Sequence, residues 1–315
     1  MNKIILELSR EHEALPKAEL AAVLEVEGGR VTCEFSNIAI VESENHNFVN
    51  RLAFTKSAAL FVAKSGDISD IGKEVSKHIN GTFAVRTRLK KSETIEKELG
   101  AEIAKYGHKV NLKNPDTKVV CFKNEGKYVA GIDIHLPHDF EARRPKFRPF
   151  FHPTSMHPKL ARCLVNLARV KKGDTVLDPF CGTGGILIEA GLMGMKPIGI
   201  EINKECAQGC RRNMEHYGLT GEIICKDALE AKITADAVVT DLPYGRSSFM
   251  SSTGLQRDFL LAAHRFVREG GYIVVVLPKG KNIKPKKTEI VNHYDVRVHK
   301  SLTRRVWVFR KVSQS

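Results

Sequence analysis

Apolar and polar positions alternate along the first half of the chain with strand-like and helix-like rhythms in turn. Lys3–Leu8 reads as a strand. Pro16–Leu24 follows as a helix, with proline suited to its first turn and Glu27-Gly28-Gly29 closing it. A strand at Ile38–Val41 completes a small α+β module. Phe83–Arg88 then predicts a strand with basic outward positions. Ser92–Gly100 predicts a capped amphipathic helix, in which Ile95 and Leu99 stand four apart. Val110–Leu112, Lys118–Phe122 and Tyr128–Asp133 are further strands, separated by the turn signals Asn114-Pro115-Asp116 and Asn124-Glu125-Gly126.

From Glu141 to Pro153 the periodicity breaks. Three prolines, four Lys/Arg residues and three phenylalanines make a regular helix or central strand untenable, so this stretch is expected to be a linker. Beyond it the rhythm becomes strand, helix, strand. Leu160, Cys163, Leu164 and Leu167 lie on one helical face, and strands near Thr175, Pro197, Glu222 and Ala237 alternate with helices. That order predicts an α/β fold with a parallel-rich sheet. A strand at Tyr272–Leu277 follows Gly270-Gly271, and a terminal pair spans Val291–Val298 and Arg304–Phe309.

Two strand ends carry candidate chemistry. After Thr175-Val176-Leu177 comes Asp178-Pro179-Phe180-Cys181-Gly182-Thr183-Gly184-Gly185. After Ala237–Thr240 comes Asp241-Leu242-Pro243-Tyr244. Both should open at the carboxyl edge of the sheet, where doubly wound folds bind ligands. The glycines allow a tight turn and close ligand approach, and the following helix presents free N–H groups. A dinucleotide fingerprint needs a third glycine where Leu187 stands, and the carboxylate of Asp178 would repel a pyrophosphate. An α-ammonium group would instead be attracted, which points to S-adenosylmethionine. Glu201, ending the next strand, can hold ribose hydroxyls, and Asp227, ending the one after, can accept from an adenine amine. Pro179, Cys181, Gly182, Thr183, Gly184 and Ala228 complete the expected cofactor contacts.

An exocyclic amine on a nucleobase is a weak nucleophile, because its lone pair is delocalised into the ring. Asp241 and the Leu242 carbonyl, fixed by Pro243, would accept its two N–H bonds, while Tyr244 offers an aromatic face for an extruded base. Asp241 need not act as a full base, since the proton can leave after the methyl group arrives.

Charge then narrows the ring's owner. Lys and Arg number 50 against 36 Asp and Glu, a net charge of +14, which calls for a polyanionic partner such as nucleic acid. Lys3, Glu7 and Arg10 interrupt the opening apolar run, so no signal peptide is expected, and no stretch suits a membrane span. The seven scattered cysteines suit a reducing, cytoplasmic setting. Cys206 and Cys210 share a helical face without a partner pair, so no metal is expected.

The second half resembles the class I S-adenosylmethionine-dependent amino-methyltransferases, whose corresponding tetrapeptide is Asp/Asn-Pro-Pro-Tyr; here Leu242 takes the second place. The region from Gly81 to Asp133 resembles a THUMP RNA-binding domain through Phe83-x-Val85-Arg86-x-Arg88, Glu98-Leu99-Gly100, Val110–Asp116 and Tyr128-x-x-Gly131. Arg148–Pro153, Ser155-Met156 and Asp241-x-Pro243-Tyr244-Gly245-Arg246-Ser247 are similar to the archaeal tRNA guanine-10 N2-methyltransferase family.

That resemblance implies a Rossmann-like class I methyltransferase domain at 156–315, preceded by a ferredoxin-like domain at 1–60, a THUMP domain at 61–140 and a linker at 141–155. It implies mono- or dimethylation of guanine 10 in tRNA, with Phe151 and Ser155 helping to cover the cofactor. Phosphate contacts are expected from Arg86, Arg88, Lys90 and Lys91, from Arg143, Arg144, Lys146 and Arg148 on the linker, and from Arg246. No obligatory protein partner is expected. Guanine 6 of tRNA is the alternative target. A non-catalytic RNA-binding module is the alternative of another class, against which Asp178, Glu201 and Asp227 speak.

Overall fold

The computed structural model describes residues 1–87, 92–153, 155–243, 252–280, 284–299 and 302–313. In chain order the elements are β1 (Asn2–Leu8), α1 (Leu15–Glu27), β2 (Gly29–Phe35), β3 (Ile38–Ser43), β4 (Thr55–Ser65), α2 (Ile68–Ser76), β5 (Phe83–Arg86), α3 (Ser92–Ala104), β6 (Thr117–Asn124) and β7 (Lys127–Ile134). Then come α4 (Pro158–Leu167), β8 (Thr175–Asp178), α5 (Gly185–Leu192), β9 (Lys196–Ile200), α6 (Lys204–His216), β10 (Glu222–Ile224), β11 (Ala235–Asp241), α7 (Ser252–Ala262), β12 (Val267–Pro278), β13 (Thr288–His299) and β14 (Leu302–Lys311). No helix among the described residues is long and apolar enough to cross a membrane.

The chain divides into two compact units. The first comprises Met1–Glu11, Gly28–Asn50 and Thr55–Pro137, and the second His12–Glu27, Arg51–Phe54 and His138–Ser315. One seven-stranded sheet, in the order β2-β3-β1-β4-β7-β6-β5, runs through the whole first unit. The expected boundary near residue 60 falls inside β4, which pairs with β1 on one side and β7 on the other. β6 is buried on both of its faces. Val119 and Cys121 join Ile71, Val75, Leu99 and Ile103 of α2 and α3, while Val120 and Phe122 join Ile5, Ile40 and Ala59. Gly72 lets the two helices approach, because a Cβ there would sit 2.5 Å from Glu102 Cβ. The expected strand at Val110–Leu112 reduces to a single bridge from Val110 to Phe83.

The second unit holds the sheet β10-β9-β8-β11-β12-β14-β13. Its first five strands are parallel, and β14 turns antiparallel to both β12 and β13. The apolar run in β12 is continuous because both faces are covered. Val274 and Val276 pack with α4 and α5 residues, and Ile273, Val275 and Leu277 pack with Phe259 and Leu260 of α7. α1 belongs to this unit. Its Leu15 and Ala22 join the same core as Leu164 and Leu167 of α4. Buried Glu19 accepts from Ala53 N and Phe54 N, both at 2.9 Å, and from Asn166 Nδ2 at 2.8 Å.

The linker ahead of α4 is fastened by charge. Glu189 of α5 is fully buried and takes Arg143 Nε at 2.8 Å and Arg162 Nε at 2.8 Å on its two oxygens. Removing that acid leaves two guanidinium groups in a dry environment. Glu189→Ala should therefore lower unfolding free energy by about 3–5 kcal/mol, read as a shift of the urea midpoint at unchanged slope; a loss below about 1 kcal/mol would show that the pair is solvated and structurally idle.

Candidate active site at the carboxyl edge of the second sheet

β8 and β11 are neighbours in parallel register, with Ala237 opposite Val176 and Val238 opposite Leu177. They are also the point at which strand order reverses, since β9 and β10 lie to one side and β12 to the other. The Asp178 turn and the Asp241 segment therefore leave the same edge side by side, at the position where doubly wound folds bind their ligands.

The turn from Pro179 to Gly184 is built by local backbone chemistry. Gly182 and Gly184 adopt φ of 51° and 86°, a left-handed conformation that favours glycine. A Cβ on Gly182 would meet nothing within 4 Å, so the turn has an open flank there, whereas one on Gly184 would press to 2.7 Å from Cys210 Sγ. Cys210 is thus a buried packing residue under the turn. Gly182 N donates to Glu201 Oε2 at 2.9 Å, and Asn203 N donates to Glu201 Oε1 at 2.8 Å. Asp227 lies just beyond β10 and caps the short turn Ala228–Glu230, accepting from Leu229 N at 2.9 Å.

The two motif halves are hydrogen-bonded to each other. Thr240 Oγ1, one residue before Asp241, donates to Asp178 Oδ1 at 2.7 Å, and Phe180 N donates to the same oxygen at 3.1 Å. Burial pushes the Asp178 carboxyl up to about 7; these two donors pull it back, and nearby Asp241 and Glu201 push it further up. Burial likewise pushes Asp241 up to about 6, against the pull of Arg304. Arg304 Nη1 donates to Asp241 Oδ2 at 2.8 Å. The other oxygen, Oδ1, is buried with no hydrogen-bond partner among the described residues.

Leu242, the departure from the Asp/Asn-Pro-Pro-Tyr form, has two structural uses. Its N–H donates to Val276 O at 3.3 Å, which a proline could not do, and its side chain is fully buried beside Phe259 and Leu260. Gln256 of α7, itself buried, donates to Pro243 O at 2.7 Å and anchors the far end of the segment. Tyr244 and Arg246 lie outside the described residues.

The linker closes over the cofactor turn. Ser155 and Thr183 share a hydrogen bond at 2.8 Å between their hydroxyls. Asn213 of α6 accepts from Phe150 N at 2.8 Å and donates to both Phe150 O at 2.9 Å and Thr183 O at 3.0 Å. The Phe150 ring lies where a Cβ on Gly209 would be, while Phe151 stays exposed. Thr240, Asn213, Gln256 and Arg304 all escape sequence reasoning. Their only local signal is a polar residue within an apolar pattern, as with Thr240 after Val238-Val239.

The basic residues separate by burial. Arg143 is taken up by Glu189, and Arg148 is buried, with its Nε on the Arg143 carbonyl at 3.1 Å. Both were expected to meet RNA phosphates; Arg143 instead turns to the Glu189 carboxylate, and Arg148 is buried with its Nη1 and Nη2 without a hydrogen-bond partner among the described residues. Arg144 pairs with Glu141, and Lys146 lies over the exposed Phe147 ring. Arg86 is exposed, with Nη2 on Leu112 O at 2.7 Å. Arg88, Lys90 and Lys91 lie outside the described residues.

The donor set suits S-adenosylmethionine. Its α-ammonium group matches the cluster of Asp178 with Asp241 and Glu201, where a cation would relieve like-charge repulsion, and the open flank of Gly182 leaves room for close approach. Glu201 retains further lone pairs for ribose hydroxyls.

Comparison with known proteins gives a consistent picture. A family model described as RMKL-like, methyltransferase domain, matches residues 145–305. A second, described as DNA methylase, matches residues 36–211, a span that stops within α6 and leaves out Asp241–Tyr244. The chain is 39% identical to a tRNA (guanine(10)-N2)-dimethyltransferase of Methanothermobacter thermautotrophicus, over 97% of this chain and 98% of that one. It is 35% identical to the protein of the same name from Methanocaldococcus jannaschii, over 97% and 99%. Among solved structures it is similar to TrmN from Thermus thermophilus, with a TM-score of 0.58, 20% identity and coverage of 98% and 100%, which shows a shared fold.

With the ammonium group of the cofactor expected at Asp178, its raised carboxyl would make binding a proton-linked event. Above about 7 the group is already a carboxylate; below it, binding of an ammonium group must first expel a proton. Calorimetry with S-adenosylmethionine in two buffers of different ionisation enthalpy should show release of close to one proton at pH 6, little at pH 8, and weaker affinity at pH 6. Equal affinity and no proton release at the lower pH would remove Asp178 from the ammonium site.

Proposed function

Because the chain belongs to the tRNA (guanine(10)-N2)-dimethyltransferase family, we propose that it methylates the exocyclic N2 of a guanine in tRNA, with S-adenosylmethionine as donor and position 10 as target. The observation that carries this reading is the buried, unpartnered Oδ1 of Asp241, held beside the Asp178 turn by adjacent parallel strands. A hydrogen-bond acceptor left unmet in a half-dry crevice is suited to an N–H donor arriving with the substrate.

Bound at the Asp178 turn, the cofactor supplies an electrophilic methyl group. Asp178 holds its ammonium end, Glu201 its ribose and Asp227 its adenine amine, with Ser155 and Phe151 on the linker side. Asp241 accepts an N–H of the target amine and so draws the nitrogen lone pair away from the ring, with the Leu242 carbonyl as the second acceptor. The proton is shed after the methyl group is in place, so Asp241 orients the amine without having to be a strong base. Apolar β11 and β12 keep the surroundings at low dielectric, which strengthens these contacts relative to water. The target base must leave its stack to reach this depth.

We assign RNA gripping to the first unit, in the manner of a THUMP domain. What supports this is the basic excess of the chain and exposed arginine at the end of β5. Affinity for tRNA should then fall steeply with added salt.

The decisive experiment is nucleoside mass spectrometry on an unmodified tRNA transcript after incubation with enzyme and cofactor, followed by fragment mapping. N2-methylated guanosine at position 10 is expected. Asp241→Ala should lower the methylation rate at least about 100-fold, with cofactor binding still measurable by calorimetry. Full activity in that variant would take Asp241 out of the reaction.

A further inference from the structure

We propose that Arg304 reads the O6 edge of the target guanine next to Asp241, and thereby selects guanine over other purines that carry an amine. The inference rests on the guanine-N2 reading above and adds to it a residue that recognises the base.

Topology brings Arg304 to the site. β14 runs antiparallel to β12, with Arg304 opposite Pro278, so the beginning of β14 lies at the edge where the parallel strands end. From β14, on the far side of β12 from β11, its Nη1 lies 2.8 Å from Asp241 Oδ2. Both side chains are largely enclosed, at 16% and 20% exposure, so their order along the crevice is a built feature rather than a surface encounter.

That order matches one base. Along its Watson–Crick edge guanine presents N2–H and N1–H as donors and then O6 as an acceptor. A carboxylate is acceptor-only and can take two neighbouring N–H bonds, and a guanidinium is donor-only, with five N–H groups in a planar fork. Asp241 followed by Arg304 therefore offers acceptor, acceptor, donor, the complement of guanine read from N2 to O6. Adenine presents an amine next to a bare ring nitrogen, whose lone pair would face the carboxylate. Cytosine presents one donor and two acceptors. Asp241 alone would take any amine; with Arg304 beside it, the pair distinguishes the base. A site built to hydrogen-bond a substrate group discriminates strongly against an analogue lacking it, because the protein's own polar group is then left unmet.

The test compares a tRNA carrying guanine at the target position with one carrying 2-aminopurine there, which keeps the N2 amine and lacks both O6 and the N1–H; the missing N1–H faces Asp241 in every variant, so the change of the ratio on substituting Arg304 is what reports O6. The wild-type protein should favour guanine by about 100-fold or more in kcat/KM. Arg304→Ala should lose about 10- to 100-fold on guanine and change little on 2-aminopurine, so that the ratio shrinks at least tenfold, and Arg304→Lys should recover part of it. A purely structural or Asp241-neutralising role would lower both substrates alike and leave the ratio where it was, which overturns the proposal. Cofactor binding by calorimetry verifies that the variant is folded. If Arg304→Ala fails that control, Arg304→Met, which keeps bulk and has no N–H donor, carries the test, and an unchanged ratio there overturns the proposal equally. Failure of the wild-type protein to methylate guanine would instead overturn the underlying functional reading.

Discussion

The hydrogen bond from Thr240 to Asp178 is the contact on which the site depends. It is buried, it spans two strands that are adjacent in space, and it joins two segments whose aspartates stand 63 residues apart, at positions 178 and 241. Because β8 and β11 are parallel neighbours at the reversal of strand order, fixing Asp178 against β11 also fixes the distance between the Asp178 turn and the Asp241 segment. Catalysis by positioning demands that kind of rigidity, since loosening by an ångström between reacting groups costs heavily in rate. The pleat places successive residues on opposite faces, so Thr240 can serve the neighbouring strand while Asp241 serves the crevice.

The same edge concentrates negative charge. Asp241 and Glu201 both push the Asp178 carboxyl up, and Arg304 is bonded to Asp241. Both aspartates are held above the ordinary carboxylate range mainly because burial disfavours their charged forms. Such a cluster is costly to fold around and is stabilised by whatever brings positive charge or N–H donors to it. Cofactor ammonium and nucleobase amine are two such donors, and each can lower the cost of holding the acids in place.

Rigidity at the edge is supported from behind. Asn213 binds both the linker backbone and Thr183 of the cofactor turn, and Glu189 gathers Arg143 and Arg162 under the same linker. The linker is therefore bonded into the second unit, and part of its basic character is consumed internally. Net charge of +14 describes attraction to polyanions at a distance; which of those charges faces an RNA is decided by burial.

Much of the second unit was legible in the chain because its signals are local. Strand runs, the glycine turn with its left-handed residues, and an acid at or just beyond successive strand ends depend on neighbours within a few residues, and their order implies a parallel sheet. Membership of α1 in the second unit, continuity of one sheet across β1–β7, and the partners of Asp178 and Asp241 depend on contacts between distant segments. Thr240, Asn213 and Arg304 look ordinary in sequence, since a threonine in a strand, an asparagine in a helix or an arginine opening a strand carries no signal of its partner. Arg143 and Arg148 turn inward for the converse reason. An arginine in a proline-rich segment looks solvated until a buried glutamate or a backbone carbonyl is found beneath it. Local chemistry determined which groups are present and at which strand ends; strand pairing and burial decided which of them meet, because hydrogen bonding and desolvation act through space and not along the chain.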